Sequence, residues 1–304
     1  MIDFHRRMLA DCLRNHAFAN ALEKVIVPGQ TTVADIGSGT GFLAFLASKL
    51  GAKECFLYEV SDVMELSEKL AKENGITNCH FIRKHSTAVT NPPKVDLVIS
   101  ETLGNFALEE HILENLQDAG RFLKPGGTMI PQSLKQFVVP VTARCFLSAL
   151  QEWENVGFDL TFRAAQEMTM HNVYVREIDS TDLYHGRKAI QCWDEIDLTA
   201  TQKSIRNGAV EWMLDRAAVI TGFCLFWECT LVPGITLSTS PLVDPTHWEQ
   251  LYLPIPAPLA LTSGEKLSLR LRSDSRNAVG INVEWEVRGG GKQWRMNMRR
   301  GHLD

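Results

Sequence analysis

Residues 33–45, VADIGSGTGFLAF, place three glycines between a strand pattern and a helix pattern and decide the fold of the first half of the chain. Gly37, Gly39 and Gly41 occupy alternate positions, where the backbone must turn sharply and approach a ligand closely. A dinucleotide-binding loop would read Gly-x-Gly-x-x-Gly, and the third glycine of that pattern is Phe42 here. The loop therefore predicts a ligand at the end of a strand, but not by the dinucleotide pattern.

The stretches around this loop alternate between strand and helix patterns. An amphipathic helix is predicted over 5–25, followed by strands at 32–36, 55–59, 79–83 and 95–100 and by helices at 41–50, 62–74 and 107–123. The last helix is predicted to close at the turn residues Lys124-Pro125-Gly126-Gly127. Alternation at this spacing predicts a parallel, doubly wound, Rossmann-like α/β sheet.

The pattern changes near residue 135. Short alternating segments separated by turn residues follow at 136–141, 219–230, 267–272 and 281–287, with glycines at 289–291 typical of a hairpin turn. Such segments predict an antiparallel β-barrel or sandwich. Residues 150–185 interrupt them with a polar, partly helical insertion. We therefore divide the chain into a ligand-binding domain, 1–135, and a β-domain, 136–304.

The composition argues against several classes of function. The 304 residues are 45% hydrophobic and 22% charged, and the net charge of −5 provides no basic field for direct nucleic-acid binding. Seven cysteines without a CxxC pair indicate free thiols and no metal centre. No apolar run is long enough for a signal peptide or a membrane span, so we expect a cytoplasmic protein without membrane contact.

A carboxylate at the end of the second strand supports ligand binding by the glycine loop. Glu59 lies 22 residues after Gly37 (59 − 37), where an acidic side chain can accept hydrogen bonds from both ribose hydroxyls. A glycine loop alone is often only structural, but the loop and Glu59 together favour a nucleoside ligand. The loop resembles the first motif of class I methyltransferases, which implies S-adenosyl-L-methionine as cofactor. Asp35 would hold the loop, or the ligand's ammonium group through water.

Two further carboxylates follow the strand at 95–100. Glu101 and Glu110 are nine residues apart (110 − 101) across a loop that contains Gly104, and a hairpin-like loop could direct both at one point. Two carboxylates in one pocket are unfavourable unless they bind a cation. A guanidinium fits, because it is planar, permanently charged and bound on two edges. The structural alternative is that Glu110 only stabilises a helix N-terminus.

Taken with three other segments, the paired glutamates resemble those of the protein arginine methyltransferase family. Thr246-His247-Trp248 is similar to the family's Thr-His-Trp loop, and Met8-Leu9-x-Asp11-x-x-Arg14 to its first helix. Residues 153–160, WENVGFDL, are similar to the start of its dimerisation arm. The resemblance spans residues 5 to about 287 and implies a class I methyltransferase domain followed by a β-barrel domain with a helical arm.

The resemblance also implies residue roles. Arg14 would contact the carboxylate of the cofactor, while Asp11 would pair with His247 as a proton acceptor or as a brace. Thr87 falls roughly where the family places an acidic residue against the adenine amino group. The resemblance assigns Met8 and Trp248 to the binding of the acceptor substrate. For Trp248, ordinary core packing is an equal alternative.

The implied activity is methyl transfer from S-adenosyl-L-methionine to a guanidino nitrogen of arginine, in a protein or peptide, by a homodimer. Free arginine or another small guanidine is an alternative acceptor, and a catalytically idle, cofactor-binding scaffold is an alternative function. Two departures from the family bear on these alternatives. No aromatic segment precedes the first helix, and Thr102-Leu103-Gly104-Asn105 replaces the common Trp-Met-Gly-Tyr.

Overall fold

A parallel sheet of five short strands lies behind the glycine loop in the computed structural model, which describes residues 2–276 and 280–302. The strands are β1 (Thr32–Ile36), β2 (Glu54–Tyr58), β3 (Cys79–Ile82), β4 (Val95–Ile99) and β5 (Leu123–Ile130). Their order is β3-β2-β1-β4-β5, and all four pairings are parallel. The order reverses between β1 and β4, so the carboxyl ends of these two strands open a crevice for a ligand. The predicted doubly wound sheet is confirmed.

Five helices accompany this sheet: α1 (Ile2–Leu9), α2 (Cys12–Val25), α3 (Phe42–Lys49), α4 (Val63–Glu73) and α5 (Ile112–Ala119). All five residues of β1 are buried, because helices cover both faces of the central strands. Phe18 and Leu22 of α2 are fully buried and belong to the hydrophobic core, as does Ala44 of α3. This packing fixes the glycine loop, which connects β1 to α3.

The prediction of one helix over 5–25 is wrong. Asp11 separates α1 from α2 with φ −75° and ψ 94°, and its Oδ1 accepts a hydrogen bond of 2.9 Å from the Arg14 backbone N–H. An aspartate in this conformation is an N-cap, which satisfies a free N–H at the start of a helix. Helical periodicity cannot distinguish this break from a continuous helix, since the apolar residues keep their spacing across it.

The predicted helix over 107–123 is too long. Residues 107–110 form turns, and His111, with φ 58°, stands in the left-handed region directly before α5. The predicted turn at 124–127 is also wrong, because these residues lie inside β5. Lys124 Nζ is 2.8 Å from Asp96 Oδ2 on β4, which draws the segment to the sheet. Proline is tolerated there because β5 is an edge strand.

The second half of the chain forms antiparallel sheets, as predicted. Its strands are β6 (Ser133–Val141), β7 (Tyr174–Arg176), β8 (Gln191–Asp197), β9 (Ile205–Met213), β10 (Ala218–Val232), β11 (Ile235–Ser238), β12 (Gln250–Leu261), β13 (Lys266–Asp274), β14 (Asn282–Gly289) and β15 (Lys292–Asn297). One sheet has the order β7-β12-β10-β6-β8, with β11 on β10, and the other β15-β14-β13-β9. Trp285 joins the two sheets, since its indole N–H donates to the Pro254 carbonyl at 2.8 Å.

The insertion between β6 and β7 contains α6 (Arg144–Leu150) and α7 (Arg163–Thr169). Between these helices, Val156, Phe158 and Leu160 are exposed, and Phe158 keeps 91% of its surface accessible. The predicted glycine hairpin joins β14 to β15, with positive φ angles of 53° at Gly290 and 72° at Gly291. No helix among the described residues is long and apolar enough to cross a membrane.

Candidate active site

The glycine loop adopts the conformation that its sequence predicts. The φ angles of Gly37, Gly39 and Gly41 are 71°, 52° and 85°, all in the region that side chains disfavour. Close contacts exclude side chains as well. A Cβ on Gly41 would lie 2.4 Å from Ser67 Oγ, and one on Gly39 would lie 3.1 Å from the His5 ring. All three glycines are therefore required by the backbone, and the first two line a cavity at the ends of β1 and β4.

Two carboxylates hold the loop in place. Asp35 is fully buried and its Oδ2 accepts a hydrogen bond of 3.1 Å from the Ala44 N–H in α3. Burial raises the pKa of Asp35 to about 7, against the lowering effect of that hydrogen bond. Glu59 accepts from the Gly39 N–H at 3.0 Å and from the Ser61 N–H at 2.7 Å. Of the two roles predicted for Asp35, this geometry favours holding the loop.

Helix α1 covers the cavity, a feature that the sequence analysis did not predict. Phe4, His5 and Met8 line the cavity from this helix, so Met8 lies where the sequence placed it. Two buried atoms on the cavity wall, Nδ1 of His5 and Oγ of Ser38, have no hydrogen-bond partner among the described residues. Buried polar atoms are normally paired, so these two indicate where a ligand completes the site.

Glu101 binds a guanidinium in this structure. The Arg14 Nε–H donates to Glu101 Oε2 at 2.9 Å, and Nη2 contacts the same oxygen. Both side chains are almost completely buried. Oε1 of Glu101 accepts from the Leu103 N–H at 3.2 Å, which orients the carboxylate. Glu101 is therefore preorganised for charge-assisted hydrogen bonds to a planar cation.

Glu110 lies on the same cavity, and it is not part of a helix. Glu110 therefore does not lie in the first turn of a helix, as the structural alternative requires, because α5 begins two residues later. Solvent reaches this side chain at the mouth of the cavity, yet the protein around it removes much of its hydration. This desolvation, together with the charges of Glu101, Glu109 and Glu59, raises the pKa of Glu110 to about 7. The site gains stability when a cation enters it.

Asp11 and His247 form the pair that the resemblance implies. Asp11 Oδ2 lies 2.8 Å from His247 Nδ1 and accepts a second hydrogen bond of 2.8 Å from the His247 backbone N–H. Burial raises the pKa of Asp11, but the hydrogen bonds from His247 and Arg14 outweigh this effect and hold the pKa below its usual value. The pair connects the α1–α2 junction to the β-domain, and His247 lines the cavity.

Trp248 is buried and does not line the cavity. Its indole N–H donates to the Leu103 carbonyl at 2.8 Å, and the indole N–H of Trp227 donates to the Gly104 carbonyl at 3.0 Å. Asn105 completes the attachment, since its Oδ1 accepts from the Glu249 N–H at 2.9 Å. The β-domain thus fixes the loop between Glu101 and Glu110 from behind.

The structure brings most of the predicted site residues together. The predicted residues that line the cavity are Met8, Arg14, Asp35, Gly37, Gly39, Glu59, Glu101, Glu110 and His247. Asp11 and Gly41 support it from behind, whereas Trp248 and Thr87 are not on its wall. Thr87 is exposed in the 3-10 turn Ser86–Ala88, where its hydroxyl contacts His85 at 2.8 Å. His5 and Ser38 were missed, because only the folding of α1 onto the loop reveals them.

Two family models match this sequence. The arginine methyltransferase oligomerization subdomain matches residues 133–290, about half of the chain, and a methyltransferase domain matches residues 29–198. The probable protein arginine N-methyltransferase 3 of Arabidopsis thaliana is 30% identical over 91% of this chain and half of its own length. Protein arginine N-methyltransferase 6 of Xenopus laevis is 28% identical over 83% of this chain and 78% of its own length.

Solved structures share the complete fold. The Trypanosoma brucei PRMT1 enzyme-prozyme heterotetrameric complex with AdoHcy contains a chain with a TM-score of 0.86 and 22% identity, matched over 98% of this chain and 99% of that one. Arabidopsis thaliana protein arginine methyltransferase 10 has a TM-score of 0.80 and 19% identity, with 98% of both chains covered. Fold and cavity therefore define a two-domain methyltransferase of the Rossmann-like class. The chain belongs to the protein arginine methyltransferase family.

Proposed function

We propose that this chain transfers a methyl group from S-adenosyl-L-methionine to a guanidino nitrogen of arginine in a protein or peptide. The observation that carries this proposal is the guanidinium of Arg14 on the carboxylate of Glu101. This contact supports the proposal, because it shows Glu101 oriented for charge-assisted hydrogen bonds to a guanidinium group, the group that the acceptor would present. Glu110 supplies a second carboxylate on the same cavity, and desolvation together with the neighbouring carboxylates raises its pKa, so a bound cation would stabilise its ionised form.

The residues at the cofactor end fit S-adenosyl-L-methionine. The loop glycines permit close backbone approach, and the carboxylate oxygens of Glu59 retain acceptor capacity for ribose hydroxyls beyond the two N–H groups that they bind. The unpartnered Nδ1 of His5 and Oγ of Ser38 offer further polar contacts. Arg14 would bind the carboxylate of the cofactor. The cofactor supplies an electrophilic methyl group on a sulfonium centre.

The side chains of this protein would act mainly by positioning, which is the largest contribution available in an in-line displacement. Glu101 and Glu110 would hold the acceptor guanidinium on two edges and direct one nitrogen at the methyl group. The guanidinium would stay protonated when it binds, because its very high pKa makes prior deprotonation unfavourable. The nitrogen becomes more acidic as the bond forms. His247, oriented by Asp11, would accept the proton or brace the two domains.

Labelled cofactor tests the proposal and identifies the acceptor. The full chain would be incubated with methyl-labelled S-adenosyl-L-methionine and, in parallel, an arginine-rich peptide, the same peptide with lysine at every arginine, or free arginine. We expect label in the arginine peptide and none in the lysine peptide, because a compact ammonium cannot span two carboxylates. Label in free arginine alone would establish the small-guanidine alternative. Cofactor binding without transfer to any of these, or to proteins of a lysate, would establish the idle scaffold.

We propose further that the protein assembles as a homodimer through the arm at 150–185. Support comes from the exposed apolar arm tip and from an apolar groove of about 270 Å³ between α3 and α4. Phe45, Leu46 and Leu70 line this groove, and such surfaces mark interaction sites when they are contiguous. A second copy would place its arm tip in the groove, beside the helix that carries the glycine loop. Sedimentation of the full chain as a monomer at micromolar concentration would overturn this assignment.

We propose a cytoplasmic location, in keeping with the thiol chemistry of the chain. All seven cysteines are free thiols, as expected in a reducing compartment. Imaging of the tagged protein in its own cells would test this location.

A further inference from the structure

A second cavity, of about 400 Å³, lies between the arm helix α7 and the last strand, β15. Its volume falls in the range of small-molecule sites. Apolar side chains form part of its wall, including the half-buried ring of Trp294. The apolar lining consists of Met170, Pro256, Trp294 and Met296. None of these residues takes part in the methyl-transfer site described above.

A buried histidine on the cavity wall has a ring N–H without an acceptor among the described residues. His171 lines the cavity and is only 6% exposed. Its Nδ1 accepts a hydrogen bond of 2.9 Å from the Asn297 backbone N–H, so the proton of the neutral ring resides on Nε2. Burial and the charge of Arg300 lower the pKa of His171, which keeps the ring neutral at physiological pH. No acceptor among the described residues takes the Nε2 proton.

The charges at the cavity favour an anion. Arg163 and Arg300 reach it, and Glu167 is the single carboxylate on its wall among the described residues, where it contacts Arg300 at 2.9 Å. Arg163 has no ion-pair partner in the described part of the chain. Two guanidiniums against one carboxylate leave an excess of one positive charge among the described residues.

Arg295 also lines the cavity, but its guanidinium contacts Glu286, at 3.1 Å, on the outer face of the sheet and does not contribute to this excess. That carboxylate is already neutralised by Arg288, whose Nη2 and Nε lie 2.6 Å and 2.8 Å from its Oε1. The positive excess at the cavity therefore comes from Arg163. A phosphate monoester, which carries about −1.5 to −2 charges at pH 7, is attracted by this excess.

We propose that this cavity is a binding site for a nucleoside monophosphate. The phosphate oxygens accept hydrogen bonds from Arg163, Arg300 and the Nε2–H of His171, and the planar base lies against Trp294. Guanidinium forks suit phosphate geometry, and an aromatic ring provides a stacking surface for a base. This inference does not depend on the proposed methyl transfer.

Calorimetry on the full chain tests the site, with saturating S-adenosylhomocysteine present to occupy the cofactor cavity. The probes are adenosine monophosphate, inorganic phosphate and adenosine. We expect the monophosphate to bind, phosphate to bind more weakly, and adenosine not to bind, because the guanidiniums and the histidine recognise the oxyanion. Absence of monophosphate binding at millimolar concentration, or equal binding of adenosine, would overturn the proposal.

Matched variants localise the binding. Arg163→Gln and Arg300→Gln are each expected to weaken monophosphate binding at least about tenfold, since each removes a charge-assisted hydrogen bond. Arg288→Gln removes the same charge from the outer face of the same β-domain and is expected to bind like the wild type. The two cavity arginines are exposed, so their replacement does not threaten the fold. Equal loss in Arg288→Gln, or no loss in the cavity variants, would contradict a site at this cavity.

Discussion

The acceptor clamp can be tested through the ionisation of Glu110. Desolvation and the neighbouring carboxylates raise the pKa of Glu110 to about 7 in the protein without acceptor. A clamp for a guanidinium requires the ionised form, which makes up about 9% of Glu110 at pH 6 and about 91% at pH 8 if the pKa is about 7. The kcat/KM for an arginine peptide should therefore rise about tenfold across this interval, because it reports ionisations of the enzyme before the acceptor binds.

The assay measures initial rates at saturating cofactor between pH 5.5 and 9, with cofactor affinity determined at each pH by calorimetry. This precaution is needed because burial also raises the pKa of Asp35 to about 7, and its ionisation would affect the cofactor loop. Saturation removes that influence from the acceptor profile. Glu101→Gln and Glu110→Gln are each expected to reduce turnover by several orders of magnitude, since orientation is lost with the charge-assisted hydrogen bonds. Cofactor affinity should stay largely intact in Glu110→Gln, whereas Glu101→Gln also leaves the buried guanidinium of Arg14 without its partner.

Glu109→Gln provides the matched control for the electrostatic cause. Removal of this neighbouring charge lowers the pKa of Glu110, so the rising limb of the profile should move to lower pH while turnover at pH 8.5 is retained. A wild-type profile that is flat between pH 6 and 8, or full activity in Glu101→Gln, would refute the clamp. A limb that stays at the same pH in Glu109→Gln would show that another group controls it.

Three further predictions concern the supports of the site. Gly39→Val and Glu59→Ala should each weaken cofactor binding at least about tenfold, because the first places a side chain against His5 and the second removes an acceptor of two N–H bonds; unchanged calorimetric affinity in both folded variants would contradict the cofactor site. Trp248→Phe should lower the free energy of unfolding by about 1–3 kcal/mol, since it leaves the Leu103 carbonyl buried without its hydrogen bond. Denaturant unfolding at wild-type stability would show that this bond is dispensable. Phe158→Asp should give a monomer in sedimentation with reduced turnover, and a dimer of wild-type affinity would exclude the arm tip from the interface.

The sequence by itself determined the features that depend on local chemistry. Gly37, Gly39 and Gly41 could be assigned to a ligand loop because their spacing requires backbone conformations that other residues disfavour. Glu59 and Glu101 followed from the same reasoning, since each stands at the carboxyl end of a parallel strand, and such strands end at one edge of the sheet. The spacing of apolar residues, together with the turn residues, was sufficient to predict the parallel sheet and the antiparallel strands of the second half.

Only the tertiary structure decided which side chains meet at the carboxyl ends of the parallel strands. The break at Asp11 turns α1 onto the glycine loop and brings His5 to the cavity, although the helical pattern continues across the break. Arg14 and Glu101 are 87 residues apart, and only the tertiary fold makes them partners. Trp248 proved to be a support for the Leu103 backbone, because its hydrogen bond depends on where the β-domain meets the loop. Contacts of this kind join segments that are distant in the sequence. Sequence periodicity cannot predict them, because it indicates only whether a residue is buried and not which residue it contacts.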